Sequence, residues 1–384
     1  MNLTEFRSVP EILLGAGLAR RLGELLGARC ASRRVFVVTD AGLHRAGVLG
    51  PPLASLDAAG FTTTLFTGVV ADPPVEVVEQ AVQACRDAGC DVVLGIGGGS
   101  SMDVAKLVAA LARTGQQIAD AYGIGRLAGP RLPLMQMPTT AGTGSEATSV
   151  AIVTTGAQSK MGVVSPLLLC DVALLDPELT LGLPAAVTAA TGVDAMVHAV
   201  EAYTSRVRKN PLSDHAAREA LRLLGGAIER ACADGADLDA RSDMLLGAML
   251  AGQAFANAPV GAVHALAYPV GALFHVAHGV SNALMLGPVL RFNVDAAAPH
   301  YAELAGILVP AAAGSDKDRA LALAGYFEAL IVRLRVPARL RDVGISEADL
   351  PTLAEQAMQQ QRLLVNNPRT VELADALALY QRAY

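Results

Sequence analysis

An aspartate and a histidine lie four residues apart in an otherwise apolar stretch, TGVDAMVHAVEAY, over residues 191–203. Because an α-helix turns once in about 3.6 residues, the side chains of Asp194 and His198 share one helix face. A carboxylate oxygen and an imidazole nitrogen then reach the same point, where a divalent metal ion could bind. Two ligands do not complete a metal site, so such a site needs further ligands from elsewhere in the chain.

Two later histidines are candidates for those ligands. His264 and His278 lie in GAVHALAYPVGALFHVAHGVSNAL, residues 261–284. A neutral imidazole in an apolar interior either hydrogen-bonds within the core or binds a metal ion. Together with Asp194 and His198, these histidines form a set of one carboxylate and three imidazoles. That set suits ferrous iron or zinc and leaves a coordination position for a substrate.

The window 244–290 surrounds these histidines and contains no Asp, Glu, Lys or Arg. Such a window is typical either of a membrane span or of a buried soluble core. Polar residues and prolines interrupt every apolar run of about 20 residues there, which favours the core. They are Gln253, Asn257, Pro259, His264, Pro269, His275 and His278. We therefore expect no membrane partner.

The composition excludes other classes of protein. A net charge of -6 gives no basic surface for nucleic acid, so we expect no nucleic-acid partner. The five cysteines form no C-x-x-C pair, which is typical of a reducing cytoplasm. Glu5, Arg7 and Pro10 interrupt the N-terminus, which therefore lacks a secretion signal. These features predict a cytoplasmic protein.

A glycine-rich stretch predicts a phosphate-binding loop. In DVVLGIGGGSSMDVAK, residues 91–106, an apolar strand leads through glycines into a helix. Glycines let the backbone approach a pyrophosphate, and the N–H groups at a helix start bind anionic oxygens. Ser100 stands where the G-x-G-x-x-G pattern has its last glycine, so a simple glycine-rich turn remains the alternative.

Two further segments fit a nucleotide. Asp40 ends the strand VFVVTD, where its carboxylate could bind the adenosine ribose and repel a 2′-phosphate, which favours NAD over NADP. The alternative role of Asp40 is that of a helix cap. PTTAGTGSEAT, residues 138–148, offers small hydroxyl side chains to phosphates or a nicotinamide, or is merely a turn.

The order of patterns predicts two domains. Up to residue 183, short β-rich runs alternate with helical stretches, which is typical of βαβ units around a mostly parallel sheet. After Pro184, Ala- and Leu-rich helical patterns continue to the end. We expect an α/β domain over 1–183 and an all-helical domain over 184–384. Predicted strands are 35–39, 62–66, 91–96, 134–137, 150–154 and 172–175, and predicted helices in the first domain are 75–89 and 101–113.

Several sequence blocks in this order resemble the iron-dependent alcohol dehydrogenases over nearly the whole chain. The blocks are GIGGGSSMDVAK, PTTAGTGSEAT, ATGVDAMVHAVEAYTS, VHALAYPVGALFHVAHGVSNAL and NNPR (366–369). The resemblance implies a dehydroquinate synthase-like architecture, with cofactor and metal ion between a nucleotide-binding domain and a helical domain. It also implies a homodimer or larger homo-oligomer.

The resemblance also implies site residues and a reaction. The implied metal ligands are Asp194, His198, His264 and His278, with iron(II) favoured over zinc. The implied NAD-binding residues are Asp40, Asp72, Gly97, Gly98, Gly99, Ser100, Ser101, Thr139, Thr140, Thr143 and Lys160. A divalent ion lowers the pKa of an alcohol, so that hydride can pass to the nicotinamide. The expected substrate is a small alcohol, diol or hydroxy acid.

Two residues depart from the family pattern. Asp72 stands where the family usually has Asn, and Tyr268 stands where many members have a histidine thought to relay protons. A phenol exchanges protons poorly at pH 7, so His275 is the alternative relay, with a simple wall or core role as the other interpretation. Tyr268 and His275 are therefore the candidate catalytic residues.

Other functions remain open at this stage. A glycerol dehydrogenase-like enzyme is one alternative, and a dehydroquinate synthase-like lyase is another. The lyase needs basic residues for a phosphate and a carboxylate, and the window 244–290 contains none. A non-catalytic NAD-binding protein is the third alternative, and it would not need four metal ligands.

Overall fold

The computed structural model describes residues 5–156 and 159–384. They form two compact units. One unit comprises residues 7–182, and the other comprises residues 183–384 together with residues 5–6. The division between the units lies between residues 182 and 183.

The first unit contains two sheets. Their strands are β1 (Glu11–Leu14), β2 (Arg34–Asp40), β3 (Thr62–Val69), β4 (Val92–Gly97), β5 (Gly123–Ile124), β6 (Leu134–Pro138), β7 (Val150–Thr155), β8 (Ser159–Val164) and β9 (Val172–Leu175). In the six-stranded sheet all paired strands run parallel, in the order β1-β9-β6-β4-β2-β3. The separate three-stranded sheet has the order β5-β8-β7.

Helices cover this parallel sheet. They are α1 (Leu22–Gly27), α2 (Ala41–Arg45), α3 (Gly50–Ala58), α4 (Val75–Asp87) and α5 (Gly99–Thr114). The central strand β4 is buried along its whole length, because a parallel sheet between helices has no solvent-facing side. The neighbouring strands β2, β4 and β6 end at Asp40, Gly97 and Pro138, so their carboxyl ends lie at one edge of the sheet.

The second unit is helical. Its helices are α6 (Ala185–Tyr203), α7 (Pro211–Ala233), α8 (Leu238–Asn257), α9 (Ala262–Phe274), α10 (His278–Leu308), α11 (Asp316–Arg333), α12 (Leu350–Ala357), α13 (Gln361–Leu364) and α14 (Leu373–Ala383). Helix α6 is buried over most of its length and packs on α7, α8 and α10. Its many alanines leave room for neighbouring helices to approach closely.

The predicted fold class is confirmed, with differences in individual elements. The strand predicted at 150–154 exists as β7, but it pairs antiparallel with β8 in the small sheet instead of joining the parallel sheet. An apolar β-rich run does not specify its partner strand, which explains the difference. Strands β1, β5 and β8 were not predicted. In β1, partly buried and exposed residues alternate over only four positions, and β5 has only two residues, so both signals are too short.

Among the described residues, no single helix is long and apolar enough to cross a membrane. Helices α8 and α9 pass that test of length and composition only as a pair, and the chain bends by 106° between them. Many of their side chains are buried within the protein, which agrees with a core role for the window 244–290.

A buried carboxyl group lies in the 3-10 turn Ser145–Ala147, near the end of the segment PTTAGTGSEAT (residues 138–148), here called the threonine-rich loop. Glu146 is 1% exposed, and its two carboxyl oxygens have no hydrogen-bond partner among the described residues. Burial raises the pKa of Glu146 from its ordinary value of 4.5 to about 7, although nearby Lys106 acts in the opposite direction. The folded protein therefore holds this proton more tightly than the unfolded chain does.

This difference predicts a pH-dependent stability. The tighter binding of the Glu146 proton stabilises the folded protein fully below pH 4.5, and this stabilisation is lost as the pH rises through about 7. The free energy of unfolding of Glu146→Gln, measured relative to that of the wild type, should therefore be higher at pH 8 than at pH 5, by up to about 3 kcal/mol. Urea unfolding at both pH values measures the gain. The exposed Glu79→Gln is the matched control, and an equal stability difference at both pH values would contradict the prediction.

Candidate functional site

Four side chains of the helical unit converge on one point. One ligand atom from each of Asp194, His198, His264 and His278 lies within 4.8 Å of the other three. Helix α6 supplies the first two from adjacent turns, α9 supplies His264, and His278 begins α10. The first three side chains are buried, whereas His278 is partly exposed. The site is therefore closed on the core side and accessible at His278.

Stacked rings fix the imidazoles within this group. The His198 ring stacks between Phe255 and His264, with centroids 4.4 Å and 4.7 Å away. The His264 ring lies 5.4 Å from that of His278. Because these rings are packed against one another, their orientation is set before any ligand binds.

Glu201 orients His264. One carboxylate oxygen lies 2.6 Å from His264 Nδ1, and the other accepts a hydrogen bond from the backbone N–H of Val263 at 2.7 Å. Glu201 lies two helical turns after Asp194 on α6 and is itself buried. Because a carboxylate accepts hydrogen bonds, Nδ1 carries the proton and Nε2 keeps its lone pair. His264 Nε2 is the nitrogen that faces Asp194, at 3.9 Å.

Asn282 occupies the space between the candidate ligand atoms. Its side-chain amide nitrogen donates to Asp194 Oδ1 at 2.5 Å and lies 3.2 Å from Nε2 of both His264 and His278. Its amide oxygen is buried without a partner among residues 5–156 and 159–384. Three potential acceptor atoms thus surround one amide NH2 group, which has only two hydrogens to donate. A cation could satisfy all three more completely.

The electrostatics agree with a cation site. Burial acts to raise the pKa of Asp194, but His198, His278, His264 and the Asn282 amide hold it below its ordinary value of 3.8. The carboxylate therefore stays ionised in an apolar surrounding. One carboxylate oxygen and three imidazole nitrogens with converging lone pairs fit a divalent iron or zinc ion.

The two candidate relay residues have different surroundings. Tyr268 follows His264 by one turn of α9, and its ring lies 6.5 Å from the His264 ring and 6.0 Å from the His278 ring. Burial raises the pKa of Tyr268, although the positive charge of Arg362 acts to lower it. His275 ends α9 in a left-handed backbone conformation and is exposed. Of these two candidates, only Tyr268 has a ring contact with the ligand imidazoles among the described residues.

The glycine-rich loop lies at the carboxyl end of β4. Gly97 has a φ of 155°, and a Cβ atom there would lie 2.6 Å from Ser101 Oγ, so a larger residue would force Ser101 away. Helix α5 begins at Gly99, and no side chain caps its N-terminus. Its first N–H groups are therefore available to an anion. The loop 97–101 includes Gly98 and Ser100, which are partly exposed.

The threonine-rich loop packs directly against this glycine loop. The Thr139 N–H donates to the Gly97 carbonyl at 3.0 Å. A Cβ atom on Gly99 would lie 2.8 Å from Thr143 Cγ2, and the Thr140 side chain is partly exposed beside Gly98. The structure thus brings the two sequence motifs together at one edge of the sheet.

Buried Lys106 joins α5 to the end of the threonine-rich loop and the start of β7. Its ammonium group donates to Ser145 Oγ at 2.7 Å, Thr148 Oγ1 at 3.0 Å and the Val150 carbonyl at 2.8 Å. Ser145 Oγ also donates to Asp103 at 2.6 Å. These bonds fix the helix start relative to the threonine-rich loop.

Asp40 and the pair of Asp72 and Lys160 complete the predicted nucleotide residues. Asp40 caps α2, because its Oδ1 accepts the Leu43 N–H at 2.9 Å, and its other oxygen remains available. Asp72 binds Lys160 at 2.6 Å. Its φ of 48° lies in the left-handed region that Asn and Asp tolerate better than most residues, so Asp can replace Asn there without backbone strain.

Sequence reasoning missed several residues. Glu201 has a detectable signal, since it lies seven residues after Asp194 and so on the same face of α6. Asn282 likewise lies one turn after His278 on α10. Arg362 has no such signal, because it lies far along the chain on the short helix α13.

Comparison with known proteins identifies the family. The family model described as iron-containing alcohol dehydrogenase matches residues 10–177, and the C-terminal model of the Fe-containing alcohol dehydrogenase family matches residues 188–384. Together these two models span most of the chain.

Individual relatives match along almost their entire length. Long-chain-alcohol dehydrogenase 1 of Geobacillus thermodenitrificans is 39% identical over 93% of this chain and 91% of the relative. The NAD-dependent methanol dehydrogenase of Bacillus methanolicus is 32% identical over 99% of this chain and 100% of the relative. A solved structure of 1,3-propanediol oxidoreductase superposes with a TM-score of 0.95 at 34% identity and covers 100% of both chains. The chain therefore belongs to the iron-containing alcohol dehydrogenase family.

Proposed function

We propose that the chain oxidises a small alcohol, diol or hydroxy acid with NAD, or reduces the corresponding aldehyde or ketone, at a divalent metal ion. The observation that carries the proposal is the convergence of Asp194, His198, His264 and His278 within 4.8 Å. The family relationship supports the reaction class. Because of the same family relationship, we assign iron(II) rather than zinc as the metal ion.

These four side chains would hold the ion, and each has a defined part. Asp194 supplies the negative charge, and the imidazoles supply neutral nitrogen donors. Glu201 keeps the proton on Nδ1 of His264 and leaves Nε2 free to bind. The bound ion would lower the pKa of the substrate hydroxyl and, in the reverse direction, polarise the carbonyl.

The α/β unit would hold NAD. The free N–H groups at the start of α5 fit the pyrophosphate, and the Thr139, Thr140 and Thr143 loop fits the remainder of the cofactor. The remaining carboxylate oxygen of Asp40 would bind the ribose hydroxyls. Lys160, held by Asp72, offers an amino group to the cofactor.

We assign the remaining proton transfer to His275. Oxidation of an alcohol releases one hydride to NAD and one proton, and an imidazole nitrogen can take that proton near neutral pH. The raised pKa of Tyr268 keeps its hydroxyl protonated at neutral pH, so that no phenolate is present to accept the proton, although the hydroxyl can still orient a substrate.

Two features support a cytoplasmic location and a homo-oligomer. The five cysteines are unpaired thiols in the structure, which suits a reducing compartment. Members of the family that the chain resembles commonly form dimers or larger assemblies. A small-molecule substrate is the only partner that the metal site requires.

Loss of one ligand should release the metal ion. We expect His264→Ala to retain far less than the roughly one divalent ion per chain of the wild type, because three ligands hold an ion poorly. Glu201→Gln should keep the fold and weaken metal affinity about 10- to 100-fold, because it removes the carboxylate that orients His264. Metal analysis after dialysis measures both. Full occupancy in His264→Ala would refute the ligand assignment.

The cofactor preference tests Asp40. The wild type should prefer NAD over NADP, and Asp40→Gly should narrow that preference about 10- to 100-fold, in line with the loss of a charged hydrogen bond. Asp40→Ser is the informative second variant, because serine can still cap α2 while the charge is removed. Initial rates with both cofactors measure the preference. Equal use of NAD and NADP by the wild type would contradict the assignment.

The proton relay is tested by two substitutions that leave the four ligands intact. His275→Ala should lower kcat more than Tyr268→Phe, by about 10²–10⁴-fold if general acid–base catalysis is lost. Metal content should be unchanged in both variants. A larger loss in Tyr268→Phe would assign the relay or substrate orientation to the tyrosine. A solvent isotope effect distinguishes a lost proton transfer from a different slow step.

A further inference from the structure

The NNPR segment, residues 366–369, has no part in the proposed reaction so far. It follows α13, and both of its asparagines are buried, with no more than 4% of either residue exposed. A buried side-chain amide destabilises a protein unless it is hydrogen-bonded. The partners of these two amides therefore show which parts of the fold the segment holds together.

Asn366 joins the start of α9 to the end of α6. Its side-chain amide donates to the Val260 carbonyl at 3.0 Å, two residues before α9 begins. Its backbone carbonyl accepts the Arg206 N–H at 2.7 Å, three residues after α6 ends. The neighbouring Ser205 Oγ donates to the Pro259 carbonyl, also at 2.7 Å. The two helices that supply three of the four candidate ligands are thus tied together at this segment.

Asn367 contacts the two remaining chain segments of the cluster. Its backbone lies so close to Gly261 that a Cβ atom on the glycine would be 3.2 Å from Asn367 Cα. The glycine therefore allows the two backbones to approach. The Asn367 side chain forms a reciprocal amide pair with Asn293 of α10, at 2.9 Å and 2.8 Å. Because α10 begins with His278, the segment is bonded to or packed against every helix that supplies a ligand.

The start of α9 depends on such outside contacts. Gly261 has no side chain to cap the helix, and the first N–H groups of a helix have no partner within it. Glu201 accepts the Val263 N–H at 2.7 Å, and its other oxygen lies 2.6 Å from His264 Nδ1. Both contacts require the first turn of α9 to lie at a fixed distance from α6. His264 is the third residue of α9, so a shift of this turn would move its imidazole relative to the other ligands.

We propose that Asn366 and Asn367 are positioning residues for the metal centre, because they hold the first turn of α9 where Glu201 can orient His264. The inference rests on the proposed function and adds two residues that are not themselves ligands. Residues that orient a metal ligand typically change metal affinity about 10- to 100-fold. Because Asn366 and Asn367 act through Glu201, their effect should lie near the lower end of that range.

The affinity for Zn²⁺ tests the positioning role. Metal-free protein is titrated with Zn²⁺ in competition with a chromophoric chelator. Asn366→Ala removes the hydrogen bond to Val260 and should weaken the affinity about 10-fold. Gly261→Ala pushes Asn367 away from α9 and should also weaken it, so this variant decides the result if Asn366→Ala does not fold. Wild-type affinity in either variant that folds overturns the proposal.

A matched control separates positioning from a general loss of stability. Asn210 is also a buried asparagine, but it caps α7 by accepting the N–H groups of Leu212 and Ser213. Asn210→Ala should lower the urea midpoint of unfolding and leave the Zn²⁺ affinity unchanged. An equal loss of affinity in Asn210→Ala and Asn366→Ala would assign the effect to stability alone and overturn the proposal.

Combined substitutions test the route through Glu201. If Asn366 acts by placing α9 against Glu201, Asn366→Ala should weaken the Zn²⁺ affinity less in a Glu201→Gln background than in the wild type. Two independent effects would instead add in full. Full additivity therefore contradicts the proposed route.

A measurement on metal-free protein separates this inference from the proposed function. NMR of ¹⁵N-labelled histidine shows which ring nitrogen of His264 carries the proton. It should show protonated Nδ1 in the wild type, where Glu201 accepts that hydrogen, and a mixture of tautomers in Asn366→Ala and Gly261→Ala. A wild type that binds no divalent ion contradicts the proposed function, and the NMR spectra then decide the positioning role alone. Unchanged His264 signals in both variants refute it.

Discussion

The burial of polar ligand atoms in an apolar helical interior is the constraint on which the helical unit depends. Asp194, His198 and His264 are each no more than 5% exposed. An unsatisfied buried carboxylate or imidazole destabilises a protein by about 1–3 kcal/mol or more. Helix α6 therefore has to present its ligands where other polar groups can meet them, and Glu201 and Asn282 do so. The arrangement that satisfies these atoms also aims their lone pairs at one point.

The α/β unit has a different constraint, an uncapped helix start, and buried hydrogen bonds again hold the site in place. No side chain caps α5, so the glycine loop leaves backbone N–H groups open to the pyrophosphate that we propose binds there. Buried side chains behind the loop fix its position. Lys106 is fully buried and ties the helix to Ser145, Thr148 and the Val150 carbonyl. A rigid support behind an open helix start would suit the phosphate binding that we propose for the loop, because no large rearrangement is needed.

Much of this organisation could be predicted from the sequence because its signals are local. The four-residue spacing of Asp194 and His198 predicts a shared helix face, and glycines after an apolar strand predict the loop at 97–101. Other features depend on tertiary packing. The segment 150–154 has the composition of a sheet strand, but its partner is the adjacent β8, and no local pattern specifies that choice. The charge of Arg362 acts on the pKa of Tyr268 across a long sequence separation, because α13 packs on α9.

The central claim is that one divalent ion binds to Asp194, His198, His264 and His278. X-ray absorption at the metal edge of the iron-loaded protein tests it most directly, because the scattering pattern distinguishes imidazole nitrogen, carboxylate oxygen and sulfur ligands. The account predicts a shell of nitrogen and oxygen atoms at about 2.0–2.2 Å, with the multiple scattering of three imidazole rings that falls to two in His198→Ala. A shell that contains sulfur, or one whose imidazole scattering is unchanged in that variant, would contradict it.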